Sequence, residues 1–159
     1  MKWLARWWPA LVWACLIWTF STGAFTTQHT SRYIVPFLSW LFPHLEREAL
    51  LAIHQIIRKC AHVFEYFVFS LLILRGLRAG KKERHLAWAL AAIAIVAAYA
   101  ALDEFHQSFV PGRGASVWDV LLDASGGAAA QLVAALVMYW SDIRRQTRMN
   151  SEAIERRLE

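Results

Sequence analysis

The chain has few of the residues around which disulfide-linked or metal-bound soluble domains are built. Only two of its 159 residues are cysteines, Cys15 and Cys60, and no metal-type spacing joins them. A disulfide framework and a zinc-finger-type site are therefore excluded. We expect two free, unreactive thiols, with a disulfide between helices as the lesser alternative.

Several catalytic signatures are also missing. The sequence contains no glycine-rich phosphate-binding loop, no GxSxG turn and no HExxH pair, and it has no motif arrangement like that of membrane lipid phosphatases. Any chemistry must therefore come from a less familiar set of side chains.

Charged residues are scarce as well, at 18% of the chain, whereas 58% is hydrophobic and nine residues are tryptophan. Ordinary soluble domains are roughly 45–50% apolar. The net charge is +5, but the basic residues form short runs between apolar segments instead of a stripe suited to nucleic acid. This pattern predicts a protein of the lipid bilayer with no nucleic-acid partner.

Four apolar segments approach the length of about 20 residues that a bilayer-crossing helix needs. They are residues 7–25, a stretch starting near residue 56 within a long helix that begins after Pro43, residues 85–102 and residues 117–140. The first segment resembles a signal peptide, but it is rich in tryptophan and the chain after it is itself membranous. We expect an uncleaved first helix and an all-α fold with four transmembrane helices.

Between the first two spans, residues 26–48 form a first extracytoplasmic loop that is rich in aromatic residues. Pro36 and Pro43 are expected to break regular structure there. We interpret this loop as a hairpin or short helix at the membrane interface, with a re-entrant segment as the alternative.

The positive charges predict the orientation. Twelve of the seventeen Lys and Arg residues lie before residue 7, between residues 75 and 84, or after residue 143. Positive residues favour the cytoplasmic side, so both termini should be cytoplasmic. We expect residues 1–143 to form the membrane domain and residues 144–159 to form a solvated basic tail.

Within the fourth span, Gly126, Gly127 and Ala130 should allow close helix packing, and Gln131 should lie at a helix–helix contact. The singleton histidines His29, His44, His54 and His85 are expected in loops or at the interface.

Polar residues collect at the outer ends of three spans, centred on residues 102–123, where charge is expensive and therefore suggests function. Within each helix they lie three or four residues apart and so share a face. Candidate catalytic residues are His62, Glu65, Asp103 and Glu104. Candidate substrate-binding residues are Arg58, Lys59, Tyr66, Gln107, Arg113, Asp119 and Asp123.

Arg113 stands in the sequence VPGRGAS, where Pro111 restricts the backbone and Gly112 and Gly114 free it. Such a loop can hold a guanidinium on a tight turn, able to grip a phosphate or carboxylate. The alternative is an arginine that only balances the acids around it.

Two sequence runs, RKCAHVFEYFVF and LDEFHQSFVPGRGASVWDVLLDASGG, resemble the VanZ-like family of bacterial membrane proteins. The first carries the family's basic-x-x-His-x-x-Glu-Tyr pattern and the second its Asp-Glu-x-x-Gln-x-Phe-x-Pro-Gly-Arg pattern, which is followed by a further Asp. The resemblance covers roughly residues 57–138. The family often has Asn where this chain has Asp123, which adds an acid to the site.

The resemblance implies a cell-envelope role in a bacterial inner membrane, since the family's namesake is associated with resistance to the glycopeptide teicoplanin. One hypothesis is an outer pocket that binds or processes a lipid-linked or peptidoglycan-related anionic molecule, and binding without turnover fits equally well. A second hypothesis is that the charged residues form a structural network that holds the four helices together, and that the protein functions by contacting partner proteins. No cofactor is expected, the alternative being a divalent metal hydrolase with ligands from His62, Glu65, Asp103, Glu104, Asp119 and His106.

Overall fold

The computed structural model describes residues 4–22, 26–78, 85–110 and 114–158, and this part of the chain contains helices and no strand. The predicted all-α fold is confirmed. The helices are α1 (Leu4–Phe20), α2 (Thr27–Leu41), α3 (Arg47–Arg78), α4 (His85–Gln107) and α5 (Val117–Leu158).

Three helices, α3, α4 and α5, are long and apolar enough to cross a membrane, and α1 is a shorter apolar helix. Large apolar side chains stay exposed on the outside of the bundle, among them Leu90, Leu132 and Val137. A surface this apolar is suited to lipid rather than water. The chain is therefore a multi-pass membrane protein.

The first helix packs beside α3 and α4. The Trp13 indole N–H donates to the Glu65 carbonyl at 2.9 Å, and the Tyr99 hydroxyl donates to the Ala14 carbonyl at 2.7 Å. The helix ends at Phe20, where the Ser21 N–H closes the last turn on the Ile17 carbonyl at 3.0 Å. The predicted apolar segment ran five residues further, so its C-terminal end was placed too late.

The predicted break at Pro36 is wrong, because Pro36 lies inside α2. Proline removes one backbone donor, but a helix can continue through it when neighbouring turns hold. The helix ends at Leu41, where the Phe42 N–H donates to the Leu38 carbonyl at 2.8 Å. Pro43 then lies in the turn before α3, as expected of a residue that stops a helix.

Close packing of α5 against α3 and α4 depends on small residues, as predicted. A Cβ atom on Gly126 would collide with the Val63 carbonyl, and one on Gly127 would lie 2.7 Å from Val96 Cγ1. The predicted contact at Gln131 is also confirmed, since its amide donates to the Ser70 hydroxyl at 2.7 Å.

The core lies among α1, α3 and α4, where Ile17, Tyr66, Val96 and Ala100 are buried. The fourth helix is longer than the predicted 85–102, continuing to Gln107. Its last turn therefore carries polar residues at a fixed helical register, opposite the start of α5.

Candidate functional site

A polar cavity of about 130 Å³ lies between the middle of α3, the last turn of α4 and the start of α5. The polar stretches of these helices meet here because α4 ends and α5 begins at the same level. Its volume is comparable to a cavity that admits one benzene ring, so it suits a chemical group rather than a whole ligand. The lining residues are Gln55, Arg58, Lys59, His62, Glu104, Gln107, Gly114, Asp119, Leu122 and Asp123.

The cavity has walls of different charge. The α3 wall carries Arg58, Lys59 and His62, which lie within one helical turn of each other. The acids Glu104 and Asp123 stand on α4 and α5. A bound molecule would therefore meet cationic groups on one side and hydrogen-bond acceptors on the other.

Lys59 and Asp119 connect α3 to α5 at the rim of the cavity. The Lys59 Nζ atom lies 3.0 Å from Asp119 Oδ1, and the two side chains are 58% and 39% exposed. Exposed pairs of this kind contribute only about 0–1 kcal/mol to stability. The pair can therefore open to another anion at little cost in folding.

His62 pairs with an acid on its own helix. Its Nδ1 atom lies 3.5 Å from Glu65 Oε2, with both side chains largely buried. The histidine lines the cavity, whereas Glu65 does not. At this distance the carboxylate favours the protonated imidazole by charge, without a hydrogen bond between the two atoms.

Glu104 forms a hydrogen bond with the segment that leads into α5. Its Oε2 atom accepts a hydrogen bond from the Ser116 N–H at 2.9 Å. Ser116 precedes the first residue of α5, so the carboxylate also lies near the positive end of that helix. The residue thus shapes the cavity as well as lining it.

Asp103 lies behind the cavity, in a network with α1. Its Oδ2 atom accepts hydrogen bonds from the Ser21 hydroxyl at 2.6 Å and from the Gln107 amide at 2.8 Å. The Gln107 amide also donates to Ser21 at 3.1 Å. Asp103 is 1% exposed, and only Gln107 of this trio lines the cavity.

Of the remaining sequence candidates, Tyr66 is fully buried and its hydroxyl has no hydrogen-bond partner among the described residues. It belongs to the core rather than to the cavity lining. Arg113, with Pro111 and Gly112, lies outside the described residues.

The sequence interpretation missed Ser21, which is buried and joins the first helix to Asp103. Its only signal was a polar residue at the end of an apolar helix, which is common. It also misplaced His54, which is buried between helices and pairs through Nε2 with the Thr30 hydroxyl at 3.1 Å. Gln55 and Leu122 of the lining were not singled out either.

In the part of the chain that the structure covers, no three His, Cys, Asp or Glu side chains are grouped so that they could hold a metal ion. His106, a possible ligand, instead stacks on Trp18 with ring centroids 4.0 Å apart. Both cysteines are free and exposed.

Comparison with known proteins gives a family. The family model described as VanZ/LLP1 matches residues 7–138, which include most of α1, all of α2 to α4 and the first half of α5. No curated protein and no solved structure matches the chain. Because the family match covers most of the sequence, the chain belongs to the VanZ/LLP1 family.

Proposed function

We propose that this protein binds an anionic group of a cell-envelope molecule in the polar cavity on the outer side of a bacterial inner membrane. The observation that carries the proposal is the grouping of Arg58, Lys59 and His62 on one wall. Cations in a partly enclosed site hold phosphate or carboxylate through charge-assisted hydrogen bonds.

The facing acids restrict the ligand further. Glu104 and Asp123 offer acceptors to hydroxyl or amino groups. A molecule with one anionic group beside several donors, such as a sugar- or peptide-bearing precursor of the wall, fits both walls. Membership of a family associated with glycopeptide resistance agrees with a ligand of this kind.

The location of the cavity depends on topology. We infer that α1 spans the membrane with α3, α4 and α5, because hydrogen bonds from Trp13 and Tyr99 hold it alongside α3 and α4. Its 17 residues measure roughly 26 Å against a hydrocarbon core of about 30 Å. Four spans with cytoplasmic termini place the cavity on the outer side. Residues 144–159 then form the cytoplasmic tail.

A second candidate function is proton transfer to or from the bound molecule. His62 lines the cavity and lies 3.5 Å from Glu65, and an imidazole beside a carboxylate is a group that can accept and release a proton near neutral pH. Under this proposal, His62→Gln still binds the envelope molecule but no longer converts it to product. Equal turnover by wild type and His62→Gln would rule it out.

The binding proposal is tested by teicoplanin susceptibility of a sensitive host. Wild type and Arg148→Gln should protect, since Arg148 pairs with Glu152 at 2.9 Å in the exposed tail helix. Lys59→Gln and Asp123→Asn should lose protection at equal membrane levels. Protection that survives both cavity variants would favour a structural role for the charged residues, and no protection from wild type would remove teicoplanin resistance from the proposal.

A further inference from the structure

A second space beside the polar cavity is wholly apolar. This groove of about 520 Å³ is lined by Ile56, Cys60, Phe64 and Phe67 on α3, and by Leu122 on α5. The α3 residues recur every three or four positions and so form one stripe. Ile56 and Phe64 are 61% and 62% exposed, so no part of the described chain covers the groove.

The groove and the cavity adjoin each other, since Lys59 and Leu122 line both. Because the groove has no polar lining, Lys59 contributes only its methylene stem there. Its Nζ atom reaches the other way, to Asp119 at 3.0 Å. Lysine commonly packs its stem on apolar surface and keeps its ammonium in a polar region.

We propose that the groove holds the hydrocarbon tail of a membrane lipid whose anionic headgroup occupies the polar cavity. This rests on the binding function proposed above and adds the ligand class, a single amphiphilic molecule. The anionic headgroup of such a lipid binds a cation close to the bond that joins it to the hydrocarbon tail. Lys59 lies at the corresponding place, between the cavity and the groove.

The size of the cavity and the position of the groove also support a membrane lipid as the ligand. The cavity of about 130 Å³ accommodates a headgroup fragment but leaves a long ligand extending beyond it. Both helices that border the groove are candidate membrane spans. A tail that leaves the cavity past Leu122 therefore enters hydrocarbon without crossing a polar surface.

The test uses the full chain in phosphatidylcholine nanodiscs. Two photoactivatable probes carry the same diazirine-labelled acyl chain, one on phosphatidate and one on phosphatidylcholine. After illumination, the labelled residues are mapped by mass spectrometry. We expect phosphatidate to label residues 56–67 at least about tenfold more than phosphatidylcholine does.

Matched variants distinguish headgroup binding in the cavity from tail binding in the groove. Cys60→Phe fills the groove and should remove most of this labelling, with Cys60→Leu intermediate. Ala61→Phe adds the same bulk to an exposed residue that lines neither space and should keep it. Lys59→Gln should remove the preference for phosphatidate. Circular dichroism checks that each variant remains folded.

The outcomes distinguish the two proposals. Labelling lost in Lys59→Gln but retained in Cys60→Phe would overturn the tail groove and leave the headgroup cavity standing. An equal preference for phosphatidate in wild type and Lys59→Gln would overturn both. A groove occupied by a second copy of the chain would show as dimers in wild type that Cys60→Phe abolishes, and this too would overturn the tail assignment.

Discussion

The Ser21 hydroxyl donates a 2.6 Å hydrogen bond to Asp103 Oδ2, joining the end of α1 to the last turn of α4 across 82 positions of sequence. Gln107 donates to both residues. An acid buried at this depth needs such donors, because an unpaired carboxylate within a membrane protein is costly. The end of the first helix is thereby joined to Gln107, which lines the polar cavity.

Replacing this hydroxyl should destabilise the protein without removing a cavity residue. Ser21→Ala takes one donor from Asp103 and one acceptor from Gln107, and we expect a loss of about 1 kcal/mol. Thermal unfolding of purified protein, followed by circular dichroism, measures the change. The control is Thr19→Ala, whose exposed hydroxyl donates to the Cys15 carbonyl of its own helix. Equal stability of the two variants would contradict a supporting role for Ser21.

The contact between α3 and α5 should tolerate no side chain at Gly126. A Cβ there meets the Val63 carbonyl, which belongs to the helix backbone and cannot rotate away. Gly126→Ala should therefore separate the helices and cost about 1–3 kcal/mol. Gly114→Ala is the control, since a Cβ at Gly114 has no atom within 4 Å among the described residues. The same thermal measurement would refute the packing argument if both glycines tolerated alanine equally.

The orientation can be read from thiol labelling. In a background with Cys15→Ser and Cys60→Ser, we expect a membrane-impermeant maleimide to modify Ala115→Cys in intact spheroplasts. Gln146→Cys should react only after lysis, because the proposed topology places the tail in the cytoplasm. Both positions are exposed in helix-flanking or tail segments. The reverse pattern would put the polar cavity on the cytoplasmic side and remove its envelope assignment.

The helices could be predicted largely from apolar length and proline position. Pro43 and the acid Glu48 marked the start of α3, and the uninterrupted apolar run after His85 marked α4. Pro36 was misjudged because α2, which packs on α3, continues through the position where proline removes one backbone donor. The end of α1 was misjudged because hydropathy does not register the turn at Ser21.

Helical spacing also explains which site residues could be foreseen. Arg58, His62 and Glu65 were assigned to one face of α3, and Arg58 and His62 line the cavity whereas Glu65 does not. The directions of adjacent residues are harder to predict, since each residue turns about 100° around the helix axis from the one before it. Asp103 therefore faces α1, whereas Glu104 faces the cavity and α5. Pairings such as His54 with Thr30 depend on tertiary packing that no local pattern encodes.

The most direct measurement is native mass spectrometry of the protein purified from bacterial membranes, comparing wild type with Lys59→Gln and Arg148→Gln. The two variants each break one exposed ion pair, at 3.0 Å and 2.9 Å, but only Lys59 lines the cavity. We predict an anionic envelope molecule bound to wild type and to Arg148→Gln, with occupancy about tenfold lower in Lys59→Gln. Equal occupancy in all three proteins, or no bound anion in wild type, would contradict the assignment of the cavity as the binding site.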